Sequence, residues 1–365
     1  MKPHLTIDIR MINSSGIGTY IKNILPLVIN ELNGIDITIM GNMSEMDIID
    51  AKVNRVEFTA PIYSPAEQLI SLKKIPKETS LLWVPHINIP ILYRGNILVT
   101  VHDVFHIANP QYVKGIHKRL YANLLYRSIR NHADAIICVS EFTKNEFTRL
   151  LHYRKKNIFK VYNGMDQDWK PNKIGYRLHE KPYFLAVGNV KPHKNLKNLL
   201  LAYKQIMDRI PHDLVIIGKK DGFRTGDNEI LNMAKPLGDR VRFTGFILDD
   251  DLKNYYKHAE ALVFTSFYEG FGLPPLEAMA SGCPVISSNA ASLPEVCGDA
   301  ALYVDPYRPE DIANKMIMLI SDKEVREQLI KKGFNRSNFF TWEKSAKETS
   351  KVIERVLKNE NCSCS

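Results

Sequence analysis

The sequence predicts an α/β protein built from two domains, and three observations carry that reading. At 365 residues the chain is long enough for two cores of ordinary size. Its opening alternates an apolar run, a glycine-containing loop, a helix-length stretch and a second apolar run, the pattern of a βαβ unit. The pattern begins afresh at Tyr183–Gly188, so a first domain over 1–170 and a second over 171–345 are expected, with a last helix and short polar tail over 346–365.

Each element follows from local pattern. Leu5 to Ile9 is a strand, the loop NSSGIGTY carries Gly16 and Gly18, a helix runs from about Thr19 to Leu32, and Ile35 to Met40 is the second strand. Glycines there let backbone approach a ligand at a helix start. Gly-x-Gly is present, but Ile21 occupies the third glycine position of a dinucleotide fingerprint and no clear ribose acid follows, which argues against an oxidoreductase. From Asn42 to Lys77 prolines obscure the pattern apart from a helix at Pro65 to Lys74. Leu81 to Pro85, Ile97 to Val101, Ala135 to Val139 and Ile158 to Tyr162 are short buried strands, and Ser140 reads as the cap of a helix. His102 and Asp103 follow the second of these strands, at the carboxyl edge where parallel sheets place function. Asn163 to Pro171 is the passage between domains.

In the second half, YFLAVG leads into NVKPHKNL and a helix over Leu196 to Arg209, which puts Lys194 beside a helix start where it can meet phosphate. Strands at Leu214 to Gly218 and Val241 to Gly245 flank a helix near Asn228 to Leu237, and an amphipathic helix covers Asp249 to His258. The apolar run Ala261 to Phe264 then opens SFYEGFGLPPLEAMASGCPVIS. Pro274 and Pro275 suit a helix's first turn, and Gly270 and Gly272 let a negatively charged ligand approach the amides of Gly270, Phe271, Gly272 and Leu273. Glu269 and Glu277 stand on either side with seven residues between them. Carboxylates accept strongly from sugar hydroxyls, although such a pair read alone is first a solvated loop acid, Glu269, and a helix-dipole acid, Glu277. Ala301 to Val304 and three helices, Pro309 to Ile320, Lys323 to Phe334 and Trp342 to Lys358, complete the chain.

Composition sets bounds on function. Hydrophobic content of 45% and charged content of 24% are those of a soluble globular protein. No apolar run approaches the roughly 18 residues that span a bilayer, and MKPHLTIDIRM lacks a signal-peptide pattern, so a cytoplasmic location is expected. Cys138, Cys283, Cys297, Cys362 and Cys364 show neither zinc nor CxxC spacing. From Lys114 to Lys160 eleven Lys or Arg stand against three acids, nearly the whole net charge of +9. Within this stretch His117 to Asn131 reads as a helix with Leu120, Tyr121, Leu124, Leu125 and Ile129 on one face and Arg119, Arg127 and Arg130 opposite. That is either a core helix with a solvated face or a basic surface facing anionic lipid, and nucleic acid is disfavoured for want of any reader motif.

The stretch from Phe267 to Pro306, FYEGFGLPPLEAMASGCPVISSNAASLPEVCGDAALYVDP, resembles the signature of the family four retaining glycosyltransferases, and the likeness extends more loosely over nearly the whole chain. The resemblance implies two Rossmann-like domains facing across a cleft, the GT-B fold, with the last helix crossing back to the first domain. It implies that Lys194 neutralises a donor diphosphate, Glu269 holds the donor sugar, Glu277 the ribose, and His102 the sugar from the first domain, with Asp103 toward the acceptor. Gly16 and Gly18 then lie near donor phosphates or acceptor, and Gly245, Phe246 and Ile247 near the nucleotide base. Many relatives carry an arginine where this chain has Asn189 or His193, which leaves the diphosphate to Lys194 with Lys191 or His193 assisting. Neither a metal nor a resident cofactor is expected; the nucleotide sugar is a substrate.

WVPHINIP and TVHDVFHIANP resemble bacterial surface-polysaccharide transferases, many of which use GDP-mannose. UDP-hexose and dTDP-rhamnose are the alternative donors, and the expected acceptor is a lipid-linked oligosaccharide or lipopolysaccharide precursor. Of another class, a non-catalytic nucleotide or carbohydrate binding protein would not need Lys194, Glu269 and Glu277 together.

Overall fold

The computed structural model describes residues 2–47, 49, 52–113, 115–169, 176–218 and 228–358. The chain divides into two units, Met1–Gly164 with Phe340–Ser365, and Met165–Phe339. The passage predicted over Asn163 to Pro171 thus begins at Gly164, while its last two residues, and the tail holding Cys362 and Cys364, lie outside the described residues.

In the first unit the described strands are β1 (His4–Asp8), β2 (Asp36–Gly41), β3 (Asn54–Glu57), β4 (Leu81–Val84), β5 (Ile97–Val101), β6 (Ala135–Cys138) and β7 (Ile158–Lys160). They form one parallel sheet in the order β3-β2-β1-β4-β5-β6-β7. Its helices include α1 (Ser15–Glu31), α2 (Pro65–Lys74), α3 (Ile116–His132) and α4 (Glu141–Leu150). β3 has no sequence signature because it is an edge strand reading NRVE, largely exposed, with no apolar alternation to betray it. Ser140 caps α4 as expected, its Oγ accepting from the amide of Thr143 at 3.0 Å.

The second unit has β8 (Tyr183–Val187), β9 (Asp213–Ile217), β10 (Val241–Gly245), β11 (Ala261–Phe264), β12 (Val285–Ser288) and β13 (Leu302–Val304), parallel in the order β10-β9-β8-β11-β12-β13. Around it lie α5 (Leu196–Ile206), α6 (Asp249–His258), α7 (Leu273–Ala280), α8 (Pro309–Ser321) and α9 (Lys323–Ser337). The central strands of both sheets are buried on both faces, so they read as unbroken apolar runs rather than alternating ones.

The last helix, α10 (Trp342–Leu357), belongs to the first unit. Its Trp342 is buried edge-on to Tyr20 of α1, with ring centroids 6.0 Å apart, and Ser345 Oγ donates to the carbonyl of Tyr162. A Cβ on Gly164 would come within 2.2 Å of the Trp342 nitrogen, so only glycine lets the two segments meet this closely. Cys138, Cys283 and Cys297 are buried free thiols, and burial pushes the latter two up to about 12.

Candidate active site

Strand order reverses between β8 and β11, and ligands of open α/β sheets bind outside the carboxyl ends of strands at such a switch point. The loops after these two strands hold Lys194 and Glu269. Lys194 Nζ donates to Glu269 Oε1 at 2.6 Å, both side chains remaining partly open to solvent.

Local stapling explains why these residues, 75 apart in sequence, meet. A 3-10 turn over Pro192–Lys194 delivers the chain to Asn195, which adopts a left-handed conformation with φ 57°. Buried Asn195 donates from Nδ2 to the carbonyls of Thr265 and Pro306, at 3.0 and 2.7 Å. The Thr265 hydroxyl returns a bond to the Asn195 carbonyl at 3.3 Å, and the amide of Phe267 donates to the His193 carbonyl at 2.8 Å. Beneath the glycine loop the buried Ser292 hydroxyl reaches the carbonyls of Glu269 and Phe271 at 2.9 and 2.7 Å. Asn195, Thr265 and Ser292 are what sequence reasoning missed. An asparagine just before a helix start, a residue type that tolerates the left-handed conformation, is the one signal the sequence offers.

Gly188 follows β8 at φ +143°, beside the aliphatic stem of Lys194. Gly272 stands at φ +113° as the residue before α7, where a side chain would be strained and its Cβ would lie 2.9 Å from Leu293. The loop Gly270–Leu273 therefore turns sharply into a helix whose first turn carries Pro274 and Pro275, as predicted. Asn189 follows Gly188, partly exposed, and His193 lies in the 3-10 turn. Gly245, at φ +77°, ends β10 and accepts from the amide of Gly218, with Phe246 exposed just beyond it and Ile247 partly buried.

Glu277 departs from expectation. It lies in the second turn of α7, beyond the terminal amides a helix-dipole acid would meet, and its Oε2 accepts from the hydroxyl of Tyr256 on α6 at 3.0 Å. Burial pushes its pKa up to about 7, outweighing the Tyr256 hydrogen bond that pulls it down. It is a half-sheltered acid that titrates near neutrality, not a solvated dipole complement.

In the first unit the strand order reverses between β1 and β4. His102 follows β5, and its Nε2 lies 3.0 Å from the Pro85 carbonyl. A carbonyl only accepts, so Nε2 carries the proton and Nδ1 is left with an acceptor lone pair. Tyr20 packs edge-on against the ring at 4.9 Å, and burial pushes the His102 pKa down to about 4, so the ring is neutral at pH 7. Asp103 turns back to accept from the amide of Phe105 at 2.8 Å.

Beside them lies a buried polar cluster with no sequence warning beyond an Asp8-x-Arg10 pair. Arg10 grips Asp8 through Nη2 at 2.6 Å, reaches Glu67 at 3.3 Å and lies over the Phe58 ring at 3.8 Å. His86 Nε2 stands 3.6 Å from Asp8, while its Nδ1 accepts from the amide of Asn88 at 3.1 Å. Burial raises the Asp8 carboxyl, but His86 and Arg10 overcome it and hold the group well below the usual carboxylate range. The cluster pins the segment bearing Pro85, and with it the tautomer of His102.

Two expectations for this unit change. The helix α1 begins at Ser15, so Gly16 and Gly18 lie in its first turn and not in a loop before it. A Cβ on Gly18 would sit 2.4 Å from the Ile12 carbonyl oxygen, so close packing of the turn accounts for that glycine; only Gly16 faces open space. In α3 the buried face is Ala122, Leu125, Tyr126 and Ile129, whereas Leu120 and Leu124 are exposed. Arg127 and Arg130 are exposed, but Arg119 is partly buried and donates to the Val113 carbonyl at 2.8 Å.

Among the described residues no cluster of three or more metal-ligating side chains occurs, and no helix is long and apolar enough to cross a membrane.

The sequence profile described as "Glycosyl transferases group 1" matches residues 170–336, and "Glycosyltransferase Family 4" matches residues 79–169. Over 265 residues the chain is 32% identical to the O-antigen chain mannosyltransferase B of Escherichia coli, covering 69% of this chain and 68% of that one. It is 27% identical over 273 residues to the serotype-specific mannosyltransferase WbdA of Escherichia coli, covering 71% of this chain and a third, 33%, of that longer protein. Sucrose-phosphate synthase from Thermosynechococcus elongatus superposes with a TM-score of 0.75 at 21% identity, covering 98% of this chain and 100% of that one. The structure of WaaG, a glycosyltransferase involved in lipopolysaccharide biosynthesis, gives 0.74 at 14% identity, over 96% and 99%.

Proposed function

Since this chain belongs to the group 1, family 4 glycosyltransferases and has their GT-B fold, we propose that it moves mannose from GDP-mannose, with retention of anomeric configuration, onto a lipid-linked or lipopolysaccharide-precursor glycan. The observation that carries this reading is the Lys194–Glu269 pair at the switch point of the second sheet, 2.6 Å apart and both still open to solvent.

Breaking a sugar–phosphate bond builds negative charge on the leaving diphosphate and positive charge on the anomeric carbon. Lys194 and the turn at Gly272 and Leu273, which opens α7, supply positive charge and helix-terminal dipole for the first. Glu269 accepts from the hydroxyls of the sugar, orienting it, and is not a double-displacement nucleophile. The leaving phosphate takes the proton of the attacking acceptor hydroxyl as the new glycosidic bond forms on the same face. His102, neutral and with Nδ1 as acceptor, suits a sugar hydroxyl better than a proton-transfer role. Glu277 serves the ribose, and Gly245 to Ile247 the base. In this scheme no metal carries charge, so activity is expected to survive chelation by EDTA.

The mannosyl donor and the polysaccharide acceptor are taken from the mannosyltransferase relatives, one of them an O-antigen chain enzyme. A lipid-anchored acceptor would bring the enzyme to the cytoplasmic face of a membrane. The test is a thermal-shift and hydrolysis screen against GDP-mannose, UDP-glucose, UDP-galactose, UDP-N-acetylglucosamine and dTDP-rhamnose, with Glu269→Ala and Lys194→Ala beside the native chain. Stabilisation by GDP-mannose alone, lost in both variants, supports the reading. Selective response to another donor replaces the sugar, and response to none, or one untouched by both substitutions, overturns the site.

A further inference from the structure

We propose that Tyr63 binds the acceptor sugar, its ring packing on the sugar's C–H face and its hydroxyl bonding to a sugar hydroxyl, and that the buried Arg10–Glu67 cluster holds it ready. That the sugar is the acceptor rests on the transferase reading; that it is a sugar rests on the geometry. The starting point is backbone strain. Tyr63 has φ +65°, in the left-handed region where a bulky residue is an outlier. Among the described non-glycine residues at positive φ, which also include Ser15, His152, Asn195 and Ala291, it carries the largest side chain. Asn195, another of these, staples the loop of Lys194 in the second unit. Strain of this kind persists only where surrounding structure dictates it, and it gathers at sites that grip ligands.

The buried cluster dictates it here. Tyr63 lies in the loop between β3 and α2, beyond the carboxyl end of an edge strand of the first sheet. Its amide donates to Glu67 Oε2 at 3.1 Å, and the Ser64 hydroxyl, capping α2, accepts from the Glu67 amide at 3.2 Å. Glu67 is itself buried, accepting from Arg10 Nη1 at 3.3 Å and from Asn88 Nδ2. Arg10 takes hold of the same loop a second time, donating from Nη1 to the Ala60 carbonyl at 3.2 Å. Two buried charges therefore fix the loop at Ala60 and at Tyr63. Apolar packing holds a surface loop at least as well as a buried ion pair, so the cluster points to a task for what it holds.

What it holds is an open aromatic ring. Tyr63 is 48% exposed and stands edge-on to Tyr121, with ring centroids 6.4 Å apart. Desolvation, and then the charges of Asp103 and Glu67, push its phenol up to about 12, so the hydroxyl stays a donor near neutrality. Asp103 is thus within electrostatic reach of Tyr63, and its neighbour His102 carries the Nδ1 lone pair. One ring, one carboxylate and one neutral acceptor belong to the same unit, beyond the carboxyl ends of β3 and β5. That combination suits a sugar, whose C–H groups pack on an aromatic face and whose hydroxyls need both donors and acceptors. A nucleotide's diphosphate would ask for free cations, and Arg10 is already engaged by Asp8 and Glu67. The acceptor is therefore the occupant.

The experiment is saturation-transfer NMR of the full chain with the methyl glycosides of mannose, glucose, galactose and N-acetylglucosamine, beside melting temperatures and the affinity for the nucleotide-sugar donor. Tyr63→Asn removes the ring but keeps a residue that tolerates the left-handed backbone, and Tyr63→Phe removes only the hydroxyl. The native chain is expected to bind at least one glycoside. Tyr63→Asn should weaken that binding about tenfold and Tyr63→Phe about threefold, with donor affinity changing less than either. Tyr63→Asn should melt no lower than the native chain, because the strain is eased. If it does melt lower, Tyr63→Phe decides alone, and unchanged glycoside affinity overturns the proposal. So does a native chain that binds none of the glycosides, binding untouched in Tyr63→Asn, or a loss confined to the donor. The two readings fail separately. Glycoside binding that needs Tyr63, in a chain responding to no nucleotide sugar, would keep this site and lose the transferase, whereas donor use without glycoside binding would do the reverse.

Discussion

Lys194 and Glu269 form an ion pair at 2.6 Å, and this fixes what their removal should do. A partly exposed ion pair contributes at most about 1 kcal/mol to folding, so Lys194→Ala should leave the melting temperature within a few degrees of the native value. If the lysine meets the leaving diphosphate, the same substitution should lower kcat/KM by roughly 10²–10³-fold, the usual effect of losing one transition-state charge partner. A large fall in both quantities would make the pair structural. Glu277 offers a test by pH. Its pKa is raised to about 7 from 4.5, chiefly by burial, so the contribution of its proton to stability is full below about 4.5 and is lost as pH rises through 7. Ribose hydroxyls bind an ionised carboxylate better than a protonated one, so donor affinity should rise between pH 6 and pH 8, by about tenfold at most. Glu277→Gln should flatten that profile, which titration calorimetry across the range would reveal.

At the scale of elements, what holds the site is the set of staples between loops. Ser292, just before a short helix over Leu293–Cys297, donates to the carbonyls on both sides of Gly270, and it is fully buried. Ser292→Ala removes the single hydroxyl proton these two carbonyls share and should cost about 1–3 kcal/mol, with donor KM rising more than kcat falls because Glu269 loses its fixed position. Comparison with Ser292→Thr, which retains the hydroxyl, separates the lost bond from altered packing. The sequence made Lys194 and Glu269 legible because each follows an unbroken apolar strand and adjoins a helix start. It could not show Asn195, Thr265 and Ser292 converging on those loops, because their bonds span from 21 to 111 residues and rest on strand order. The α3 surface was misread for a related reason. Its leucines recur at a helical period that does not distinguish a buried stripe from an exposed one, and only tertiary packing puts Leu125 inside and Leu124 outside.

The whole molecule is two parallel sheets whose covering layers are not each drawn from one continuous stretch of chain. The first unit is completed only by α10, which arrives after the entire second unit has been made. The hydrophobic cluster around β1 and α1 includes Trp342, Ala346, Val352 and Ile353, so its core is open until the last helix docks. Trp342→Ala should therefore cost about 3–5 kcal/mol, and the loss should be local. Hydrogen exchange should show protection falling in the segments of the first unit, α1 and β1 most clearly, while β8, β9 and β11 keep theirs. Equal loss across both units would mean that they unfold together and that the division seen in the packing has no thermodynamic counterpart. Because the two units should respond separately, the Lys194–Glu269 pair would remain assembled in the Trp342→Ala chain, and thermal stabilisation of the second unit by a nucleotide sugar should persist when turnover does not.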